Sequence, residues 1–142
     1  MTANRAAAFP AVYALLRVAA DVADHWVQTD HQAQHKAEPG AEGHLALAGH
    51  VATYTATQAA ALLIGNRVLG LGLRGRSMAA ALALSGATHY LIDRRWPVRR
   101  VAEALRKGPF YKLGGPLGGA YLLDQATHHL AEGLAAFIAV RD

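Results

Sequence analysis

The sequence predicts an all-α protein, a four-helix up-and-down bundle set in a membrane, with a short basic helix between helices three and four. Three observations carry that expectation. No alternating apolar and polar run of strand type occurs, nor any repeat of fixed period. Four long apolar stretches are separated by segments rich in Pro and Gly. Hydrophobic residues make up 53% of the chain and charged residues 17%, against the roughly 25% charged residues of a soluble domain. Such a composition favours helices and lipid contact. The 142 residues fit a single helical domain, 1–142, with one sizeable core.

The first helix is expected to start near Pro10, a good first-turn residue, and to run through AVYALLRVAADVADHWVQTDHQAQHK towards Glu38, where Pro39 and Gly40 stop it. One Arg followed by an apolar run resembles a signal peptide. The run continues straight into polar residues, so cleavage is not expected. The second helix, Leu45 to Ile64, has about the 20 residues needed to cross a bilayer, interrupted by Thr, Tyr and Gln. Asn66 to Arg76 is a Gly-rich connection that lacks the strand and the Gly-Lys-Ser/Thr ending of a phosphate loop. The third helix runs from Ser77 to Asp93 and is apolar until its final turn. Pro97 then breaks the chain, and VRRVAEALRK reads as a short amphipathic helix. The last helix, PLGGAYLLDQATHHLAEGLAAFIAV, carries its polar groups early.

In an up-and-down bundle the end of helix one, the start of helix two, the end of helix three and the start of helix four share one end. The polar chemistry lies at those four places. At about 100° per residue, Arg17, Asp21, Gln28, His31 and His35 fall within roughly 60° of Asp24. Asp21, Asp24 and Gln28 are expected to face inward, whereas His35 and Lys36 have run past the bundle into water. His50 and Tyr54 lie early in helix two, His89 and Asp93 close helix three, and Asp124 and His128 open helix four. HYLID and DQATH each space an Asp and a His by four, so each pair shares a helix face. Asp and neutral His are ordinary ligands of zinc, manganese or non-haem iron, and the chain has no cysteine to offer thiolates. Asp24, His50, His89, Asp93, Asp124 and His128 are thus the expected metal ligands, enough for one divalent ion or two. Gln28 and Tyr54 are expected to orient substrate or ligands, with Asp24 beside them in the catalytic group. His129 points about 100° away from His128 on the helical wheel and reads as a neighbour. His25, His35 and His44 are expected to be exposed; His31 is left undecided.

A metal ion at this place lowers the pKa of a bound water, so hydrolysis is the expected chemistry. Arg94, Arg95, Arg99, Arg100, Arg106, Lys107 and Lys112 crowd the connection between helices three and four, at the same end. Arg94, Arg95, Arg99 and Arg100 are expected to bind a phosphate of the substrate, and short cationic loops place this end in the cytoplasm. Such a patch also suits anionic lipid headgroups. Nucleic acid is disfavoured, because the aromatics needed for base stacking are few and scattered. Self-association into a homo-oligomer is left open.

The pieces DHWVQTDHQAQHK, HVATYTATQ, THYLIDRRWPVRR and LLDQATHH resemble a family of small bacterial, often actinobacterial, integral membrane proteins, the domain of unknown function 3307. That resemblance implies four membrane helices in the plasma membrane, with scattered His and Asp in the later ones. It also implies a His four residues before the first Asp, as HxxxDxxxQ. Ala20 stands there in this chain, with Asp21 and His25 as candidate substitutes. HYLID is similar, more faintly, to the HxxxD element of inner-membrane metal-dependent hydrolases. The leading expectation is a membrane-embedded, metal-dependent hydrolase of a phosphate-containing or lipid-derived substrate. The alternatives are a membrane module with a buried polar network and a soluble bundle that binds nucleic acid or a partner through its basic connection.

Overall fold

The computed structural model describes residues 5–115 and 117–141, and these are helical with no strand among them. Helix α1 spans Arg5–Val22 and includes Pro10 in its interior, so it starts earlier than the proline signal predicts. It does not run on to Glu38. From Ala23 to Val27 the backbone winds into a π-turn, closed by the Gln28 N–H donating to the Ala23 carbonyl at 2.9 Å. Gln28 is then extended, and the chain restarts as α2, Asp30–His35. Thr29 makes that restart possible through a reciprocal cap: its hydroxyl accepts from the Gln32 N–H at 3.2 Å, and its own N–H donates to Gln32 Oε1 at 3.0 Å.

Helix α3 spans Ala41–Leu69, well beyond the predicted Leu45 to Ile64. At about 1.5 Å per residue it is roughly 44 Å long, the longest strut of the molecule. Gly70, at φ 61°, ends it in the left-handed conformation that favours glycine. Asn66 fixes the short connection by pairing with both the N–H and the carbonyl of Leu73. Helix α4, Gly75–Asp93, follows, then the expected basic helix α5, Trp96–Ala104, and one turn, α6, Gly108–Tyr111. Helix α7, Gly119–Ala139, closes the chain.

The four long helices form a ring in which α1 packs on α3, α3 on α4, α4 on α7 and α7 on α1. The expected four-helix bundle is therefore present, with three short helices gathered at one end. Its interior has two halves. At the end of the α3–α4 connection Val12, Leu16, Leu62, Leu71, Leu73, Ala81 and Ala135 make an apolar core. Towards the other end the buried groups are polar: Gln58, Ser85, Tyr54, Glu132, His50, His89, Asp93 and His128.

The outside is the reverse. Val18, Trp26, Leu45, Leu63, Ile64, Val68, Leu91, Leu130, Leu134 and Phe137 are exposed, and they lie on all four long helices or the π-turn that follows the first. Among the described residues one stretch, Arg5–Val27, is long and apolar enough to cross a membrane by length and composition. A signal sequence near the N-terminus passes the same test. Of the four spanning helices expected, this is the one stretch that passes among the described residues, and the core helix of a soluble protein passes the same test. In α3, His50, Tyr54, Thr57 and Gln58 lower the mean despite its length.

Candidate metal centre

Four elements deliver the six donors. The π-turn carries Asp24 inward at the end of α1. His50 projects from α3, His89 and Asp93 from the last turns of α4, and Asp124 and His128 from the first half of α7. His50, His89, Asp93 and His128 are buried, and Asp24 and Asp124 are partly buried. All six expected metal ligands therefore come together.

They form two adjoining groups. In the first, His50 Nε2 lies 2.9 Å from His89 Nε2 and 3.2 Å from Asp24 Oδ1. His89 Nε2 lies 3.6 Å from Asp24 Oδ1. Asp93 Oδ2 is 3.1 Å from His89 Nε2 and 3.4 Å from His50 Nε2. In the second, His128 Nε2 is 3.5 Å from Asp93 Oδ1 and 3.6 Å from Asp124 Oδ2. Asp24, His50 and His89 have donor atoms within 4.8 Å of one another, as do Asp93, Asp124 and His128. These are groups that could hold a metal ion. Bonds of about 2.0 Å to a tetrahedral ion put neighbouring ligand atoms about 3.3 Å apart, which is the spacing found in the first group. Asp24 Oδ1 and Asp93 Oδ2 are buried among these imidazoles, carboxylate oxygens turned into the cluster where a cation would be held.

A cation already stands at the cluster. Lys36 Nζ is 2.8 Å from Asp93 Oδ2, with the lysine side chain 14% exposed. Sequence periodicity sends Lys36 into water; the structure folds it back. Arg94 is the reason, since its guanidinium donates to the carbonyls of Lys36 and Glu38 at 3.2 and 2.9 Å and clamps the loop over the site.

Above the donors opens a cavity of about 530 Å³, lined by Asp24, Gln28, Lys36, Asp93, Asp124 and His128 together with Arg95, Val98, Tyr111, Tyr121 and Gln125. Gln28 is at the wall, with its buried Nε2 lacking a hydrogen-bond partner among the described residues. Of the four arginines expected at a substrate phosphate, Arg95 lines the cavity. Its backbone sits at φ 61°, a conformation rare for a side-chain-bearing residue, at the bend between α4 and α5. Arg94 holds the loop instead, Arg99 pairs with Glu103 on the exposed side of α5, and the Arg100 guanidinium lies over the Trp96 ring.

Tyr54 is beneath the donors and does not line the cavity. Its ring stacks on His89 at 3.7 Å between centroids, and its hydroxyl donates to Glu132 Oε1 at 3.3 Å. Its place is thus to support a ligand, with no direct reach to substrate. Below it a polar chain continues: Gln58 Nε2 donates to the Tyr54 hydroxyl at 3.0 Å, and Ser85 donates to Gln58 Oε1 at 2.7 Å. Glu132 takes a two-pronged pair from Arg17 at 2.7 and 2.9 Å.

Lys36, Glu132, Arg17, Gln58 and Ser85 were not singled out for the site by the sequence. Glu132 had a signal, because it follows His128 by four as His128 follows Asp124. Asp21, expected to face inward, is 55% exposed in its side chain and pairs with Arg17 on the outside. His25 reaches the cavity mouth with its Nδ1 at the Asp21 carbonyl, 2.9 Å away. Neither replaces the donor implied at Ala20, which is packed in the interior with Ala23 and Tyr54. His31 and His35 stack at 4.4 Å and, with Glu42, form a third group of neighbouring donors, at the surface.

No family model, curated protein or solved structure matches the chain.

Proposed function

We propose that the protein is a membrane-embedded, divalent-metal-dependent hydrolase of a phosphate-containing or lipid-derived substrate. One observation carries the reading: Asp and His side chains from four helical elements converge on a buried cluster at the floor of an open cavity. A divalent ion held there would polarise a phosphoryl oxygen and make a bound water a nucleophile near neutral pH. Lys36 and Arg95 supply positive charge on the cavity wall, which suits the equatorial oxygens of a phosphate. Tyr111, Tyr121 and Val98 supply an apolar wall for the rest of the substrate. Gln28 and Gln125 offer amides to orient it.

The membrane part of the reading is supported by the inverted polarity of the bundle. At one end carboxylates and imidazoles are inside, while Leu, Ile, Val, Phe and Trp side chains on all four long helices or the π-turn face out. Polar residues in spanning helices face the interior of a bundle and mark function. Membership of the domain-of-unknown-function 3307 family belongs to the same proposal, on the motifs DHWVQ, HYLID and DQATH.

A second reading has its own observation. The Lys36–Asp93 pair supplies a cation to the cluster and favours a metal-free polar network that only holds four helices together. Metal analysis of protein purified in mild detergent separates the two. The hydrolase reading expects at least one divalent ion per chain, loss of that ion in His89→Ala, and chelator-sensitive release of phosphate from a phosphomonoester. Metal-free wild-type protein that neither binds added zinc nor manganese, or equal metal content in wild type, His89→Ala and Asp124→Ala, overturns it.

A further inference from the structure

The Asp93 carboxylate turns its two oxygens to different partners. Oδ2 faces His89 and His50 at 3.1 and 3.4 Å, and Oδ1 faces His128 at 3.5 Å. The two groups also differ in completeness. Around Oδ2 stand three further donors, Asp24 Oδ1, His50 Nε2 and His89 Nε2, with pairwise distances of 2.9, 3.2 and 3.6 Å. With the 3.1 and 3.4 Å contacts of Asp93 Oδ2 to His89 and His50, five of the six separations among these four donors are 2.9–3.6 Å, and four protein donors are the pattern of a structural zinc site. Around Oδ1 stand two further donors, His128 Nε2 and Asp124 Oδ2, 3.6 Å apart. Three protein donors with an open position are the pattern of a catalytic site.

Access follows the same division. Asp93, Asp124 and His128 all line the cavity; of the inner donors Asp24 also reaches its wall, whereas His50 and His89 lie behind it. Charge also calls for a bound divalent cation. Asp24, Asp93 and Asp124 bring three carboxylates to the cluster, and Lys36 is the ammonium paired with them. With neutral imidazoles the lysine leaves two negative charges, which one divalent ion balances; a second ion brings an excess of positive charge that an anionic phosphate offsets.

We infer that the centre is dinuclear and divided in role. Asp24, His50, His89 and Asp93 hold an inner, closed ion. Asp93, Asp124 and His128 hold an outer ion whose free position faces the cavity, with the Asp93 carboxylate bridging the two. The outer position takes a phosphate oxygen or water, and the inner ion fixes Asp93 and the helix ends. This inference rests on the metal-dependent reading of the same site and adds the number of ions and their separate tasks.

The test uses the full chain in detergent, stripped of metal and titrated with cobalt(II), followed by absorption and by elemental analysis after gel filtration. Inorganic phosphate is the probe. Wild type is expected to retain two equivalents, and His128→Ala and the milder His128→Gln one, with the Kd of the first equivalent changed by less than threefold. Phosphate is expected to perturb the cobalt spectrum of wild type at two equivalents and to leave both His128 variants unchanged. Asp93→Ala is expected to lose both equivalents. Saturation of wild type at one equivalent overturns the inference, and so does a phosphate response that survives in His128→Gln. One equivalent together with metal-dependent phosphate release would sink the dinuclear assignment while leaving the hydrolase reading in place. No bound metal would sink both.

Discussion

Replacing Lys36 by Met, close in volume and without charge, tests whether the ammonium stands where a metal ion would exert its charge. Lys36 Nζ is 2.8 Å from Asp93 Oδ2, the oxygen that also faces His50 and His89. At that distance the pair attracts by about 6 kcal/mol for an effective dielectric constant of about 20, before desolvation is subtracted. What survives as net stabilisation for a contact to a charged group is about 1.5–3 kcal/mol. An ion that takes Asp93 Oδ2 must displace this ammonium, so wild-type affinity is lowered by about 10- to 100-fold.

Calorimetric titration of the metal-stripped protein with zinc or manganese measures that difference. Lys36→Met is expected to bind its first equivalent at least about tenfold more tightly than wild type. Its phosphate release is expected to fall all the same, because the lysine freed by the metal is then missing from the cavity wall. An unchanged or weaker affinity refutes the argument, since the ammonium and the ion would then not compete. A metal-free network makes the opposite forecast: Lys36→Met loses thermal stability and no added metal restores it.

Three other changes probe the surroundings. Glu132→Gln takes the carboxylate from Arg17 and Tyr54 inside the bundle; losing one partner of a buried pair costs about 3 kcal/mol or more, and less here because Arg17 keeps Asp21. Thermal unfolding in detergent should show a midpoint several degrees lower, partly restored when Arg17→Met is added; an unchanged midpoint contradicts a buried ion pair. Gly119→Ala places a methyl against the carbonyl of Phe110 and must push α6 away. It is expected to raise KM severalfold with metal content unchanged, and equal KM in the two proteins would show that α6 is not part of the working wall. Phe137→Lys sets a charge on the exposed face of α7, at about 2.5–3.5 kcal/mol if that face meets the middle of a bilayer. Carbonate extraction of membranes should then release more of the variant than of wild type, whereas a wild type that is itself fully released contradicts the membrane reading.

The site was legible in the sequence where single helices carry it. His89 with Asp93 and Asp124 with His128 are spaced by four, and short connections put both pairs at one end of a bundle. What the sequence hid arises where the helix changes its winding. The π-turn at Ala23–Val27 ends the simple count of about 100° per residue, so Asp21 lies outside, Asp24 lies inside, and His31 and His35 leave the stripe altogether. Lys36 could not be placed for a related reason. Its position depends on Arg94, 58 residues later, holding two carbonyls of the loop, and no local pattern encodes that contact. In α3 three of the polar residues that lower its hydropathy, His50, Tyr54 and Gln58, are buried in the structure.

Those buried residues follow a rule that spans three of the helices. His50, Tyr54 and Gln58 in α3, Ser85, His89 and Asp93 in α4, and Asp124, His128 and Glu132 in α7 are each spaced by four. Three residues at that spacing drift by only about 40° per step, so each trio is a column on one face. Taken singly, such a column reads as the solvated side of an amphipathic helix. The remaining sides carry Leu63, Ile64, Leu91, Leu130, Leu134 and Phe137, all exposed. Turning the columns outward would bury those apolar residues but separate Asp93 from His50, His89 and His128. The fold keeps the donors together and leaves the apolar sides facing out, an arrangement that surrounding lipid would favour from outside and the cluster's own contacts from within. On the metal-dependent reading, a bound ion would tie the columns together and make ion loading and helix packing one linked equilibrium. Metal removal should accordingly lower the stability of the whole bundle as well as its chemistry, and a thermal midpoint indifferent to chelator would break that link.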